Sequence, residues 1–373
     1  MNVTRRQRGA VLPLLFLLFA TVLLLKNTDI AANGIKKGLE LAAHSLIPSL
    51  FPFLVLSSLM IETGAITPLT RLLAKPLRFA FGLTENGTAA LLLGWFCGLP
   101  VGVVSAAKMR KNGQISKQEF DRLLLFGGTP STGFLIGAVG TSLFGNAEAG
   151  AALFFIALLS CAITGAFLKL LGGDLPPPAE VGAESTSLAP FYTQFTGAVR
   201  QGFATALEIT GFVAFFSAVA ECVRAAARQY AWPPLCSVLL IGLLELTAGV
   251  HGAVAVLASE VAFLLCAFFA GFAGLSVCMQ LFSIAGAAKP RLLPYLLVRL
   301  CQGILATLFA HLYLALRHPM LQKAGQVSLQ VGGTFHAPPT LLTCTSVCLL
   351  ILLCLALPTL RRIRLVRFVR PGK

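Results

Sequence analysis

The sequence predicts an all-α, polytopic membrane protein built from two structural repeats with broken helices and re-entrant hairpins. Three observations carry that expectation. The 373 residues are 57% hydrophobic and 12% charged, whereas a soluble domain carries roughly 25% charged residues. The apolar residues gather in runs near the ~20 that a helix needs to cross the bilayer core. Two of those runs are interrupted in matching ways, GWFCGLPVGVVSAAK at 94–108 and GLLELTAGVHGAVAV at 242–256. Backbone unwinds at membrane depth only where it lines a protein-enclosed cavity, and paired interruptions in two halves point to a transporter's substrate site.

In chain order, the expected spans are 10–26, 43–61, 87–106, 150–171, 203–220, 234–250, 253–269, 295–315 and 339–358. The glycine-rich stretches 126–144 and 270–287 read as re-entrant hairpins. MNVTRRQRG and the apolar run to Leu25 resemble a signal peptide, but Lys26, Asn27 and Thr28 stand where small residues would permit cleavage, so an uncleaved anchor is expected. The expected organisation is an anchor at 1–40, a first repeat at 41–172 and a polar connector at 173–192. A second repeat at 193–316 follows, then a loop, last span and basic tail at 317–373. Within each repeat the order is an apolar segment, a basic stretch (Arg71, Lys75 and Arg78; Arg224 and Arg228), the interrupted run, a Gly/Ser/Thr hairpin and a plain span.

Charge gives an orientation and removes some function classes. Arg5, Arg6 and Arg8, and six positive charges in the tail RRIRLVRFVRPGK, place both ends inside. The net charge of +15 lies between apolar runs and at the ends, as that rule demands, so nucleic acid is not an expected partner. The loops around Arg71 and around Lys108 both look cytoplasmic although the run 87–106 separates them; either that run enters and leaves on one side, or the charge rule fails there. The ten cysteines show neither CxxC pairs nor Cys/His metal spacing, and no HExxH or GxSxG appears. No cofactor, metal site or enzymatic activity is expected. SKQE at 116–119 is a capping box opening a short surface helix.

Candidate site residues lie where the runs break. Three acids, Glu208, Glu245 and Glu260, sit in apolar runs, where an ionised carboxylate costs about 2.5 kcal/mol or more. Glu245 is the sharpest, with Thr247, Gly249 and His251 after it. Two readings of it are open: it binds a cation, proton or substrate donor, or it plugs backbone amides freed by the break. Glu208 and Glu260 read as structural. In the first half Gly98, Pro100 and Gly102 open the helix, and Thr129 and Ser131 open the hairpin. Free amides at such half-helix N-termini suit a carboxylate. Ser276 and Gln280 are the polar members of the second hairpin. Lys108 and His44 read as interfacial, and Pro48 and Pro52 as kinks.

SLIPSLFPFLVLSSLM at 45–60, GLPVGVVSAAKMRKNGQIS at 98–116, Glu245-x-Thr247-x-Gly249 and GFAGLSVCMQ at 271–280 together resemble the sporulation integral membrane protein YlbJ family, built on the nucleoside-recognition (Gate) domain. GGTPSTGF at 127–134 lacks the asparagine of that family's pattern. The resemblance implies an inverted-repeat core related to concentrative nucleoside transporters, in a bacterial inner membrane (the outer forespore membrane). It also implies dipicolinic acid, a planar dianion, as substrate during spore formation. A dianion beside Glu245 calls for a coupling proton or cation. The expected partners are thus a small-molecule substrate, the lipid bilayer, that proton or cation, and a second copy of the chain. A nucleoside-type transporter and a non-transporting membrane scaffold are the alternatives.

Overall fold

The computed structural model describes residues 24–173, 190–286 and 291–324, with Leu18, Thr21, Val22 and Leu175 beside them. Most of the expected span 10–26, the span 339–358, the basic tail and most of the connector lie outside the described residues. All regular structure among the described residues is helical.

Helix α1 (Thr28–Leu41) passes through a π-helical turn (Ala42–Leu46) into α2 (Ile47–Glu62). The axis bends by 51° there, just before Pro48 and Pro52, which remove two backbone donors from the next turns. The basic stretch at 71–78 forms α3 (Thr67–Phe81). Its exposed Leu72 and Phe79, beside exposed Arg71, give it the two-faced character of a helix lying at a membrane interface. Gly82 ends α3 in the left-handed conformation.

Helices α4 (Glu85–Phe96) and α5 (Leu99–Lys111) pack side by side about a two-residue turn. Ser116 caps α6 (Lys117–Phe126), accepting from the Glu119 amide at 3.1 Å. The Glu119 carboxylate also reaches back to the start of α4, accepting from the Thr84 amide and hydroxyl at 2.7 and 2.9 Å. The helix expected on the surface is in fact buried by its neighbours, with Phe120 and Leu123–Phe126 all in the core. A π-helical segment (Gly133–Leu143) and α7 (Ala147–Gly172) complete the first half.

The second half comprises α8 (Phe191–Gln229), α9 (Pro234–Leu244), α10 (Leu246–Val256), α11 (Ser259–Phe272), α12 (Gly274–Ala285) and α13 (Leu292–Ala324). Helices long and apolar enough to cross a membrane are α7, α8, the α11–α12 stretch and the 292–316 part of α13; the bent α1–α2 pair makes a fifth.

Two expectations are corrected. The runs 87–106 and 234–250 are not crossing helices: α4–α5 and α9–α10 are tight helical hairpins. They fold because glycines meet at the seam. A Cβ on Gly102 would lie 2.5 Å from Gly94 Cα, and one on Gly249 would lie 2.2 Å from Gly242 Cα. Conversely, 270–287 is no re-entrant hairpin. Residues 259–285 form one apolar stretch of crossing length, interrupted only at Ala273.

Two large apolar clusters make the core, and each draws on both halves. One joins α4, α5 and α6 to Cys278 and Leu281 of α12 and Tyr295 and Val298 of α13. The other joins the π-helical segment and α7 to α10, α11 and α13. Elsewhere α1 packs on α8 through Gly34 and Gly38, whose added Cβ atoms would lie 2.6 and 2.8 Å from Ala218 and Ala214 Cα. This is the small-residue packing of membrane helices.

Lys108, expected to reach the interface, instead ties α5 to α2, pairing with Glu62 and donating to the Ser58 hydroxyl at 2.9 Å. Both charged side chains are mostly covered. Lys108→Met leaves Glu62 half-buried without its cation and is expected to cost about 1–2 kcal/mol. The double variant with Glu62→Gln should be less stable than wild type by less than the sum of the singles. Melting curves of the four proteins in detergent check this.

Candidate functional site

Each hairpin tip is held by the broken segment that follows it. At the first tip Gly98 has φ +113, which side chains rarely allow. Thr129 then serves the unwound backbone on three atoms: its carbonyl accepts from the Leu99 amide at 2.8 Å, its amide donates to Gly94 O at 3.3 Å, and its hydroxyl donates to Trp95 O at 2.9 Å. The Thr132 hydroxyl takes Phe96 O at 3.2 Å, and Trp95 Nε1 donates to Phe126 O at 3.4 Å. These bonds make broken backbone tolerable away from water.

The second tip uses a carboxylate instead. Glu245 is 1% exposed and takes extended backbone between α9 and α10. Its two oxygens accept from the amides of Thr247 at 3.1 Å and Ala248 at 2.6 Å, capping α10. Against this tip stands the break at Ala273, whose φ of +71 is strained for a residue with a Cβ. The next residue, Gly274, packs on Gly242 O and the Leu246 amide.

The two tips and breaks face one another across a single cavity of about 60 Å³, room for about four waters. The first half supplies Ser49, Leu99, Pro100, Pro130, Ser131 and Phe134. The second supplies Ile209, Val213, Glu245, Thr247, Val277 and Gln280. The wall is thus mostly apolar, with three hydroxyls, one amide and one carboxylate.

Five expected site residues therefore meet: Pro100, Ser131, Glu245, Thr247 and Gln280. The other five stand behind the wall. Gly98 turns the first tip against Ser131, Gly102 and Gly249 close the hairpin seams, Thr129 binds the first tip, and Ser276 accepts from Gln280 Nε2 at 3.1 Å. Ser131 is half committed, its hydroxyl accepting from the Phe134 amide at 3.2 Å. Glu208 contacts Ser283 and is exposed, as are Glu260 and His251. Ser49, Phe134, Ile209 and Val213 carry no sequence signal of their own, since apolar and hydroxyl residues at helical spacing read as packing. Arg299 does carry one: it is the lone Asp, Glu, Lys or Arg inside 295–315, and it is fully buried.

Over 332 residues the chain is 27% identical to the sporulation integral membrane protein YlbJ of Bacillus subtilis (strain 168), an alignment covering 80% of this chain and 81% of that one. The chain is a relative of YlbJ. With an integral membrane relative and several helices of crossing length, it is a multi-pass membrane protein. No family model and no solved structure matches it.

Proposed function

We propose that this protein is a membrane transporter for a small planar molecule, working by alternating access at the cavity between the two hairpin tips. One observation supports it above the rest: both halves present a hairpin tip and a broken segment to the same cavity. A scaffold has no use for that arrangement, because the glycine seams of the two hairpins and the hydrogen bonds at their tips hold broken backbone around a cavity. The order of a long or bent helix, hairpin, broken segment and plain span recurs in both halves, α1 to α7 and α8 to α13. We take this as an inverted repeat, of the kind that rocks around a fixed midplane site. The likeness to the concentrative nucleoside transporter core rests on this order.

Dipicolinic acid is our substrate, a reading that rests on kinship with a sporulation protein and places this chain in the bacterial inner membrane, at the outer forespore membrane. The hydroxyls of Ser49, Ser131 and Thr247 and the Gln280 amide suit its carboxylates and ring nitrogen. Leu99, Pro130 and Phe134 suit its faces. Glu245 opposes a dianion, so we include a coupling proton or cation. A second reading, an uncharged nucleoside-like ring, is favoured by the absence of any cationic side chain from the cavity wall.

Uptake of labelled dipicolinate and of a nucleoside into proteoliposomes tests both. Saturable dipicolinate uptake is the expected result. Uptake of nucleoside alone would replace the first substrate by the second. Uptake of neither compound by folded protein would overturn transport of these classes and favour the scaffold.

A further inference from the structure

Arg299 lies within the apolar part of α13 and its side chain is fully buried. Its Nε donates to the Tyr295 hydroxyl at 3.1 Å. One terminal nitrogen donates to Gly128 O at 3.2 Å and Gln302 Oε1 at 3.0 Å, and the other has no hydrogen-bond partner. The guanidinium sits beside the thiols of Cys161 and Cys278, and none of the ion pairs found among the described residues includes it. A guanidinium stays charged in a protein, and a buried charge without a counter-ion is expensive.

The local compensation is partial. The Gly128 carbonyl bound by Arg299 and the Leu125 carbonyl bound by Gln302 Nε2 at 3.2 Å lie at the C-terminal end of α6. Such an end carries roughly half a negative charge, and the Tyr295 ring face at 5.4 Å, the Tyr295 hydroxyl and the Gln302 amide oxygen offset more of the cation, but no carboxylate stands against it. The cation stands directly behind the cavity. Gly128 packs on the backbone of Leu99, and Pro130 is two residues further on; both line it. Two residues of backbone reach at most roughly 7 Å and the guanidinium is 3.2 Å from Gly128 O, so its charge lies on the order of 10 Å from Pro130, a range over which buried charges still interact. Across the cavity, the Glu245 carboxylate sits on the N-terminus of α10 and is likewise offset in part. The positive field of Arg299 therefore enters the cavity from the first-half side, opposite Glu245, whose own charge the coupling proton or cation would offset.

We propose that Arg299 is the specificity-determining residue of this cavity: its charge, behind the Leu99–Pro130 wall, selects a ligand carrying a carboxylate and orients that carboxylate towards the first-half tip. The inference rests on the transport reading, and it supplies the cation that the cavity wall itself lacks. Arg299 touches no ligand and acts through the break at 127–131.

The test pairs dipicolinate with its uncharged diamide, pyridine-2,6-dicarboxamide, which has the same ring and nearly the same shape. Both are competed for uptake into proteoliposomes by wild type, Arg299→Lys and Arg299→Gln. Wild type should prefer the dianion. Arg299→Gln should lose about tenfold of that preference while diamide uptake stays within about twofold, and Arg299→Lys should keep the preference. An equal fall for both ligands in Arg299→Gln would reduce Arg299 to a structural brace and overturn the proposal, as would an unchanged preference. Should Arg299→Gln not fold, wild type decides: no preference for the dianion over the diamide overturns it. Wild type taking up neither ligand is the separate failure of the transport reading.

Discussion

Glu245→Ala is expected to abolish uptake and to lower the melting point of the detergent-solubilised protein, while Glu245→Gln leaves the protein folded. The carboxylate accepts from the buried Thr247 amide and the part-buried Ala248 amide at the start of α10. Alanine removes both acceptors at once. Those two bonds are the helix cap, whose loss alone costs about 1 kcal/mol, and leaving the buried Thr247 amide without a partner raises that to about 1–3 kcal/mol. Glutamine keeps one oxygen acceptor and roughly half the cap. The pair of variants also separates the two roles of this residue. If Glu245 carries the coupling proton or cation as well as capping the helix, uptake by Glu245→Gln loses its dependence on pH and on added cations. Uptake that keeps the wild-type dependence in the glutamine variant would confine Glu245 to its capping role.

The second large effect is steric. Gly94→Ala and Gly249→Ala should each abolish folded protein in the membrane, at a cost of about 3 kcal/mol or more. A Cβ on Gly94 would lie 1.9 Å from Gly127 O, and one on Gly249 would lie 2.2 Å from Gly242 Cα. Both obstacles are backbone, so no rotamer change relieves them. Gly137→Ala and Gly211→Ala are the controls, since nothing lies within 4 Å of either Cβ position. They should be neutral or slightly stabilising. Monodispersity and melting of all four variants in detergent give the comparison; normal folding of the first two would mean that the hairpins are not closed as described.

The membrane class and the site's neighbourhood were legible because they rest on strong local signals. A run such as 242–256 cannot lie in water, and Glu245 inside it must be satisfied by something. What the sequence could not reveal was which interruptions fold back. For 87–106 the charge pattern left a fold-back open beside a crossing, and Gly98, Pro100 and Gly102 read as a break; only the close approach of Gly94 to Gly102, and of Gly242 to Gly249, makes hairpins of the two runs. The glycines of 270–287 announced an interruption there, but not that it would fall at Ala273 and leave 259–285 as one crossing stretch. Half of the expected site residues proved to stand behind the cavity wall. A glycine or threonine that shapes a broken backbone carries the same one-dimensional signal as one that meets a ligand. Arg299 carries the same kind of signal as Glu245, one charge inside an apolar run.

The sharing of both apolar clusters between halves bears on how the chain is made. When α7 leaves the ribosome, α6 lacks the Arg299 and Gln302 that hold its last carbonyls, and the π-helical segment lacks the α10, α11 and α13 side chains that cover it. The early half must therefore wait in the bilayer, unfinished and with its polar break exposed to lipid or to the insertion machinery, until almost the whole of α13 has been synthesised. Assembly is then a late, single event, and a nascent chain stalled before residue 292 has no stable stopping point.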